Sequence, residues 1–140
     1  LVGSEMCIRD RPMTELPTPR RILIVDDHAD LRKLIRLTLL GTDYEVFEAT
    51  SGDEALRRLR DVQPDLIILD VMMPGDLNGY QVCSRVKADP ALRHITVILV
   101  TARAQAADLQ KGEAAGADRY LIKPFSPMQL LDLVSEALGT

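Results

Sequence analysis

The sequence predicts an α/β fold in which a parallel sheet of five strands lies between two layers of helices, a doubly wound (βα)5 three-layer sandwich. Short strand-like segments, most of them apolar at every position, alternate five times with longer segments whose apolar residues recur every three or four positions. The first pattern is typical of strands buried on both faces, and the second of amphipathic helices. Such alternation implies right-handed crossovers and helices on both faces of the sheet.

The strands are predicted from short runs bounded by turn residues. Four of them are continuous apolar runs, at residues 22–25, 66–69, 97–100 and 120–122. The run at residues 44–49 alternates between polar and apolar residues instead, which suits a half-exposed edge strand. An edge position for the second strand favours the flavodoxin-like order 2-1-3-4-5 over the Rossmann order.

The first two helices are predicted from an apolar face and a capping signature. Helix 1 begins after Asp27, Gly41 marks its end, and its apolar face contains Leu31, Leu34, Ile35 and Leu39. Ser51 and Glu54 form a capping-box signature at the start of helix 2.

The last three helices are bounded by similar signals. Helix 3 is predicted over residues 79–87 and helix 4 over residues 104–115, where Gly116 provides a left-handed cap. Ser126 caps helix 5, with a proline at the first helical position and Gln129 completing a capping box.

Four of the strands end at polar side chains that carry potential chemistry. Asp26 and Asp27 follow strand 1, Asp70 follows strand 3, Thr101 follows strand 4 and Lys123 follows strand 5. One aspartate after a strand is usually a turn residue. Because the carboxyl ends of parallel strands share one edge, where open α/β sheets bind ligands, we expect these five side chains to meet.

Residues 21–138 resemble the response-regulator receiver domain of bacterial two-component signalling. The resemblance depends on an ordered set of motifs, Asp26-Asp27, Asp70-Val71-Met72-Met73-Pro74, Asn78-Gly79-Tyr80, Thr101-Ala102 and Lys123-Pro124-Phe125. The chain departs from the family by one extra residue between the proline and the glycine of the third motif, so we expect a bulge in this loop.

The resemblance implies a phosphoryl acceptor and a metal site. Asp70 would be the nucleophile that forms an aspartyl phosphate. Mg²⁺ would be bound directly by Asp27, Asp70 and the backbone carbonyl of Met72. Asp26 would act on the metal through water. A hard divalent cation would also relieve the repulsion among three crowded carboxylates.

The resemblance also implies how the phosphoryl group is held and sensed. Lys123, before a cis proline, would supply an ammonium group and Thr101 a hydroxyl. Thr101 and Tyr120 would move together as a switch. The phosphodonor would be a histidine kinase or histidine phosphotransfer protein, and a downstream effector would bind the face of helix 4, strand 5 and helix 5, which includes Arg103, Lys111, Arg119 and Tyr120.

Composition excludes several other classes of protein. The 140 residues are 46% hydrophobic and 27% charged, as in an ordinary globular domain, and no apolar stretch approaches the length of a membrane span. A net charge of -4 with interspersed basic residues argues against direct nucleic-acid binding. Cys7 and Cys83 form no disulfide framework or metal motif, and Cys83 is expected to be buried, which fits the cytoplasm.

Other functions are weaker alternatives. An aspartate-nucleophile phosphatase of the haloacid-dehalogenase type would carry a second aspartate where this chain has Met72. Glycine-rich motifs for a nucleotide or flavin are absent. A phosphorylation-independent interaction module would not need the complete acidic set. We therefore expect a regulatory domain that is not an enzyme beyond its own phosphorylation and dephosphorylation.

Two remaining features receive simpler interpretations. Residues 1–20 are expected to be a disordered or non-native leader, and residues 1–12 resemble a translated sequencing-adapter fragment, with Met13 as the natural start. A genuine short arm is the competing interpretation. His28 and His94 have no partner histidine at ligand spacing, so both are expected to be solvent-facing loop residues.

Overall fold

The computed structural model describes residues 19–73, 75, 77–102 and 106–139, which form one parallel sheet covered by helices. The strand order is β2-β1-β3-β4-β5, as the sequence predicts. The elements in chain order are β1 (Arg21–Val25), α1 (Ala29–Leu39), β2 (Glu45–Ala49), α2 (Gly52–Val62), β3 (Leu66–Asp70), α3 (Gly79–Ala88), β4 (Thr96–Thr101), α4 (Ala106–Ala115), β5 (Arg119–Ile122) and α5 (Pro127–Leu138). No helix among the described residues is long and apolar enough to cross a membrane.

The core has two halves, one on each face of the sheet. Side chains alternate along each strand, so Ile67 and Leu69 of the central strand β3 face α2, α3 and the end of α4, whereas Leu66 and Ile68 face α1 and α5. Every residue of β3 is buried. Truncating Ile68 to alanine would leave a cavity and cost about 2–5 kcal/mol. Burial on both faces explains why the strand is apolar throughout.

The outer strand β2 pairs on one side only. All of its pairing is with β1, in the register Arg21↔Glu45 to Val25↔Ala49. Its side chains are mostly partly exposed, and only Ala49 is buried. The alternating sequence pattern therefore identified an edge strand correctly.

One of the helix-end predictions needs correction. Gly41 marks the end of α1 as predicted, directly after the C-cap residue Leu40, which has right-handed helical geometry. At α2, the Ser51 side chain accepts a hydrogen bond from the Glu54 amide, as expected. The Glu54 carboxylate, however, accepts from the amide and hydroxyl of Thr50, so the reciprocal half of the capping box is absent.

The remaining helix ends agree with the sequence signals. Gly116 follows α4 with φ of +90°, and α5 has a complete capping box between Ser126 and Gln129. The first positions predicted for helix 4, residues 104 and 105, lie outside the described residues, as do Pro74 and Asp76 of the loop in which a bulge was expected.

Cys83 is buried against the last turn of α4, as predicted. Its thiol donates to the Ala115 carbonyl oxygen at 3.4 Å. Burial raises the pKa of this thiol to about 11. The side chain is therefore a packing residue rather than a reactive nucleophile.

Candidate functional site

Two of the predicted aspartates lie together at the switch point of the sheet, where β1 and β3 are neighbours. Asp26 follows the last residue of β1, and Asp70 is the last residue of β3, with Val25 paired to Leu69 in the register. Although both side chains are acidic, they are only 2% and 3% exposed. Buried carboxylates require hydrogen-bond donors, positive charges or metal ions as partners, so such groups are expected at this edge of the sheet.

Lys123 provides positive charge at the same place. Its ammonium donates a hydrogen bond to Asp70 Oδ1 at 3.3 Å, and lies 3.8 Å from Asp26 Oδ2. The Lys123 amide donates to the Thr101 carbonyl oxygen at 2.8 Å, which fixes the end of β5 beside the end of β4. The Lys123–Pro124 peptide bond is cis, as the resemblance implied.

The ionised form of Asp70 remains disfavoured in the folded protein even though Lys123 lies beside it. Burial raises its pKa, and the Asp26 carboxylate raises it further. The Lys123 ammonium and the Met72 backbone amide act in the opposite direction without cancelling these effects. In addition, the buried Oδ2 atom of Asp70 has no hydrogen-bond partner among the described residues. The ionised Asp70 carboxylate can only accept hydrogen bonds or bind a cation, and its Oδ2 atom is available to do so.

The donor atoms of this site fit a divalent cation. Asp27 Oδ1 is a second buried oxygen without a hydrogen-bond partner in the described part of the chain. Ligand atoms of Asp26, Asp27, His28 and Asp70 all lie within 4.8 Å of one another. In an octahedral site with bonds of about 2.1 Å, opposed ligands are about 4.2 Å apart. A small closure of the cluster would therefore accommodate a cation such as Mg²⁺.

Met72 and Thr101 border the acidic cluster. The Met72 amide bonds to Asp70, while its side chain is 58% exposed. The role predicted for the Met72 carbonyl stays a prediction. Thr101 is the last residue of β4 and is 3% exposed. The structure therefore brings all five predicted strand-end residues to one edge of the sheet.

Gly79 allows the backbone to approach Asp70 closely. A Cβ atom at this position would lie 2.4 Å from the Asp70 carbonyl oxygen and 2.8 Å from the Val71 Cα. The Gly79 amide also donates to the Val71 carbonyl oxygen at 2.9 Å. Any larger residue would displace the chain segment that carries Asp70.

Tyr120 lies on the same face of the sheet as Thr101. In the β4 and β5 register Leu99 pairs with Tyr120, and Thr101 pairs with Ile122. Since residues two apart share a face, the Thr101 and Tyr120 side chains both face α4. The Tyr120 ring lies directly against Gly112 of α4, where a Cβ atom would be 2.4 Å from the ring. Arg103 of the predicted effector face lies outside the described residues.

His28 is the residue whose place in the site was missed from the sequence. Its side chain is 66% exposed, as expected, but its Nδ1 atom lies 3.0 Å from Asp26 Oδ1 and 3.3 Å from Asp27 Oδ1. His28 is also the N-cap residue of α1, although its side chain makes no capping hydrogen bond. Spacing to a second histidine carries no signal of this role, because the partners of His28 here are carboxylates.

Comparison with protein families gives a match to the response regulator receiver domain over residues 22–135. Among curated proteins, the chain is 40% identical over 111 residues to the transcriptional regulatory protein ResD of Bacillus subtilis, covering 79% of this chain and 45% of ResD. It is 36% identical over 119 residues to the DNA-binding response regulator MtrA of Mycobacterium tuberculosis, covering 85% of this chain and 50% of MtrA. The chain thus spans about half the length of these relatives.

Solved structures of other proteins share the fold of this chain. The chemotaxis response regulator CheY4 of Vibrio cholerae is 32% identical, with a TM-score of 0.80 over 86% of this chain and 99% of that chain. These findings give no support to a phosphatase of the haloacid-dehalogenase type.

Proposed function

Because the chain belongs to the response regulator receiver domain family, a regulatory signalling domain, we propose that its switch is phosphorylation of Asp70. The phosphodonor is a histidine kinase or a histidine phosphotransfer protein, and the chemistry requires Mg²⁺. The observation that carries this assignment is the environment of the buried Asp70 carboxylate. One of its oxygens has no hydrogen-bond partner among the described residues, and the Lys123 ammonium lies 3.3 Å from the other.

Asp70 is suited to act as the nucleophile in phosphoryl transfer. A carboxylate oxygen forms a bond to phosphorus while the bond from phosphorus to the donor imidazole nitrogen breaks, and the electron pair leaves with that nitrogen. Asp27, Asp70 and the Met72 carbonyl are the proposed direct metal ligands, with Asp26 acting through water. When bound, Mg²⁺ supplies charge neutralisation at the phosphoryl oxygens.

Lys123 and Thr101 are proposed to hold the product. The phosphoryl group brings up to two negative charges and three acceptor oxygens to the edge of the sheet. The Lys123 ammonium, already within 3.3 Å of Asp70, can shift its hydrogen bond to one of these oxygens. The Thr101 hydroxyl is the proposed donor to another. Both contacts exist only in the phosphorylated state, so they favour that state selectively.

The signal is proposed to leave through the face of α4, β5 and α5. Movement of Thr101 toward the phosphoryl group would free space behind it, into which the Tyr120 ring can turn from its position on Gly112. A population shift of this kind requires a few kcal/mol of differential stabilisation. An effector that distinguishes the two positions of Tyr120 would read the phosphorylation state.

Other parts of the proposal concern partners and boundaries. We expect residues 21–138 to be the receiver domain and residues 1–12 to be dispensable. Direct nucleic-acid binding by this domain is not expected from its charge of -4; the name DNA-binding belongs to MtrA, a protein about twice as long. The proposed site of action is the cytoplasm, and the proposed chemistry is limited to the domain's own phosphorylation and dephosphorylation.

Incubation with acetyl phosphate and Mg²⁺, followed by intact mass measurement, tests the assignment. The parent protein should gain one phosphate, and chelation of the metal should suppress the gain. Asp70→Asn should gain none, whereas the control Asp132→Asn, on the exposed face of α5, should behave like the parent. Equal labelling of Asp70→Asn and the parent would show that another residue is the acceptor.

A further inference from the structure

His28 has a nitrogen atom inside the acidic cluster. The His28 amide donates to Asp26 Oδ1 at 2.8 Å, which turns the residue back toward the carboxylates. This contact places the ring Nδ1 atom 3.0 Å from Asp26 Oδ1 and 3.3 Å from Asp27 Oδ1. Since the side chain makes no capping bond to α1, the ring is oriented by the acidic cluster and not by the helix.

The positions of these atoms match those of ligands around one cation. Neighbouring ligands of an octahedral ion with bonds of about 2.1 Å are about 3 Å apart. The 3.3 Å separation of Nδ1 from Asp27 Oδ1, an atom of a proposed direct ligand, is therefore that expected of adjacent ligands, whereas Asp26 Oδ1 at 3.0 Å is a hydrogen-bond partner of the ring. Within the residues that the structure describes, Asp27 Oδ1 and Asp70 Oδ2 are also buried without hydrogen-bond partners. Asp26 Oδ1 would keep its backbone hydrogen bond if Nδ1 turned to a metal.

An imidazole ligand changes which metal the site prefers. Carboxylate and carbonyl oxygens suit Mg²⁺, whereas imidazole nitrogen suits Ni²⁺, Zn²⁺ and other later divalent metals. Mg²⁺ also keeps several of its waters, so a nitrogen ligand adds little to its binding. The same nitrogen should add strongly to the binding of Ni²⁺. Ligation by a single imidazole would therefore change the metal selectivity of the site without being needed for Mg²⁺.

We propose that His28 is a metal ligand through Nδ1, which makes this a mixed nitrogen and oxygen site with raised affinity for imidazole-preferring divalent metals. This inference rests on the proposed function, because it uses the same metal site as Asp70. The competing role for His28 is to position the Asp26 and Asp27 carboxylates by hydrogen bonding. A positioning role would change the affinity for every metal alike, because it acts through the shared carboxylate ligands. Loss of a hydrogen bond to a metal ligand commonly changes metal affinity about 10- to 100-fold.

Calorimetric titration of the tag-free protein with Mg²⁺ and separately with Ni²⁺, in a weakly basic buffer, distinguishes the two roles. In His28→Gln, whose amide can still hydrogen-bond, the affinity for Ni²⁺ should fall at least about ten-fold, while that for Mg²⁺ stays within about two-fold. The control His94→Gln changes the other histidine of the chain, which is exposed beyond α3, and should alter neither affinity.

NMR of the Co²⁺ form of histidine-labelled protein gives a direct readout of ligation. Parent protein should show strongly shifted imidazole signals that disappear in His28→Gln and persist in His94→Gln. Equal losses of Mg²⁺ and Ni²⁺ affinity in His28→Gln, or no loss of either, would overturn the ligand role while leaving the proposed function intact. Failure of the parent protein to bind Mg²⁺ at all would instead contradict the proposed function.

Discussion

Replacing the Asp70 carboxylate by an amide should stabilise the metal-free protein while abolishing phosphorylation. In Asp70→Asn the side-chain shape is retained, and the remaining carbonyl oxygen can still accept the hydrogen bond from Lys123. What disappears is a buried negative charge that repels Asp26. The neutral amide nitrogen takes the place of an oxygen that has no partner among the described residues. The chain would therefore lose its proposed acceptor and gain stability in one substitution.

The expected increase in the free energy of unfolding follows from the groups that face the Asp70 carboxylate. An unsatisfied buried polar atom costs about 1–3 kcal/mol and a charged one costs more, so replacing the carboxylate by a neutral amide removes the additional cost of the charge. Against this, the variant loses the attraction between the Asp70 carboxylate and the Lys123 ammonium. That loss is small, because the Lys123 side chain is 26% exposed and solvent screens the pair. A net gain of about 1–2 kcal/mol is expected, which corresponds to a melting temperature about 4–8 °C higher in a domain of this size.

The gain should depend on pH in a defined direction. The folded-state pKa of Asp70 is raised above its ordinary value of 3.8. The penalty is therefore absent below that ordinary value, where the carboxyl is protonated in both states, and grows as pH rises through the folded-state pKa. The stability difference between Asp70→Asn and the parent should accordingly be near zero at about pH 3 and full at neutral pH.

Thermal unfolding followed by circular dichroism, with chelator present, measures this difference. Asp132→Asn, an exposed aspartate of α5, should melt within about 2 °C of the parent. Saturating Mg²⁺ should narrow or reverse this difference, since the parent gains about 2.7 kcal/mol at a concentration of 100 Kd and the variant has lost a ligand. A variant that melts at or below the parent temperature in chelator would refute the electrostatic reasoning.

Three further predictions concern the readout and the leader. Thr101→Ala should still accept phosphate, but the NMR shift changes around Tyr120 on adding beryllofluoride should be weakened; unchanged shifts in the parent, despite confirmed binding of beryllofluoride, would rule out the coupling. Gly112→Ala should displace the Tyr120 ring, because its Cβ would lie 2.4 Å from that ring, and should alter the tyrosine near-UV dichroism in the unphosphorylated protein. A protein that begins at Met13 should melt with the parent; a drop of more than several degrees, about 1 kcal/mol or more, would show that residues 1–12 pack on the domain.

Local patterns in the amino-acid sequence by themselves determined most of the architecture. Apolar runs with no polar interruption identified β1, β3 and β4, which are covered on both faces, and the alternating run identified the edge strand β2. The apolar run of β5 was misleading, because β5 lies at the other edge of the sheet and only its Leu121 is buried. Because the carboxyl ends of parallel strands share one edge, the order β2-β1-β3-β4-β5 was enough to bring Asp26, Asp70, Thr101 and Lys123 together. The pattern of apolar residues and the direction of the chain suffice for such inferences. Backbone geometry fixes which face each side chain points to and where each strand ends.

Only the tertiary structure decided what individual side chains do at this edge. That Glu54 bonds to Thr50, and not back to Ser51, depends on how the chain enters α2. The ring of His28 reaches Asp26 and Asp27 because the turn before α1 folds it back, a direction that spacing along the chain does not encode. Burial of the unpartnered Asp70 oxygen likewise requires the helices and loops that enclose it. Distances between side-chain atoms distant in sequence are set by packing, and packing is decided by the whole fold.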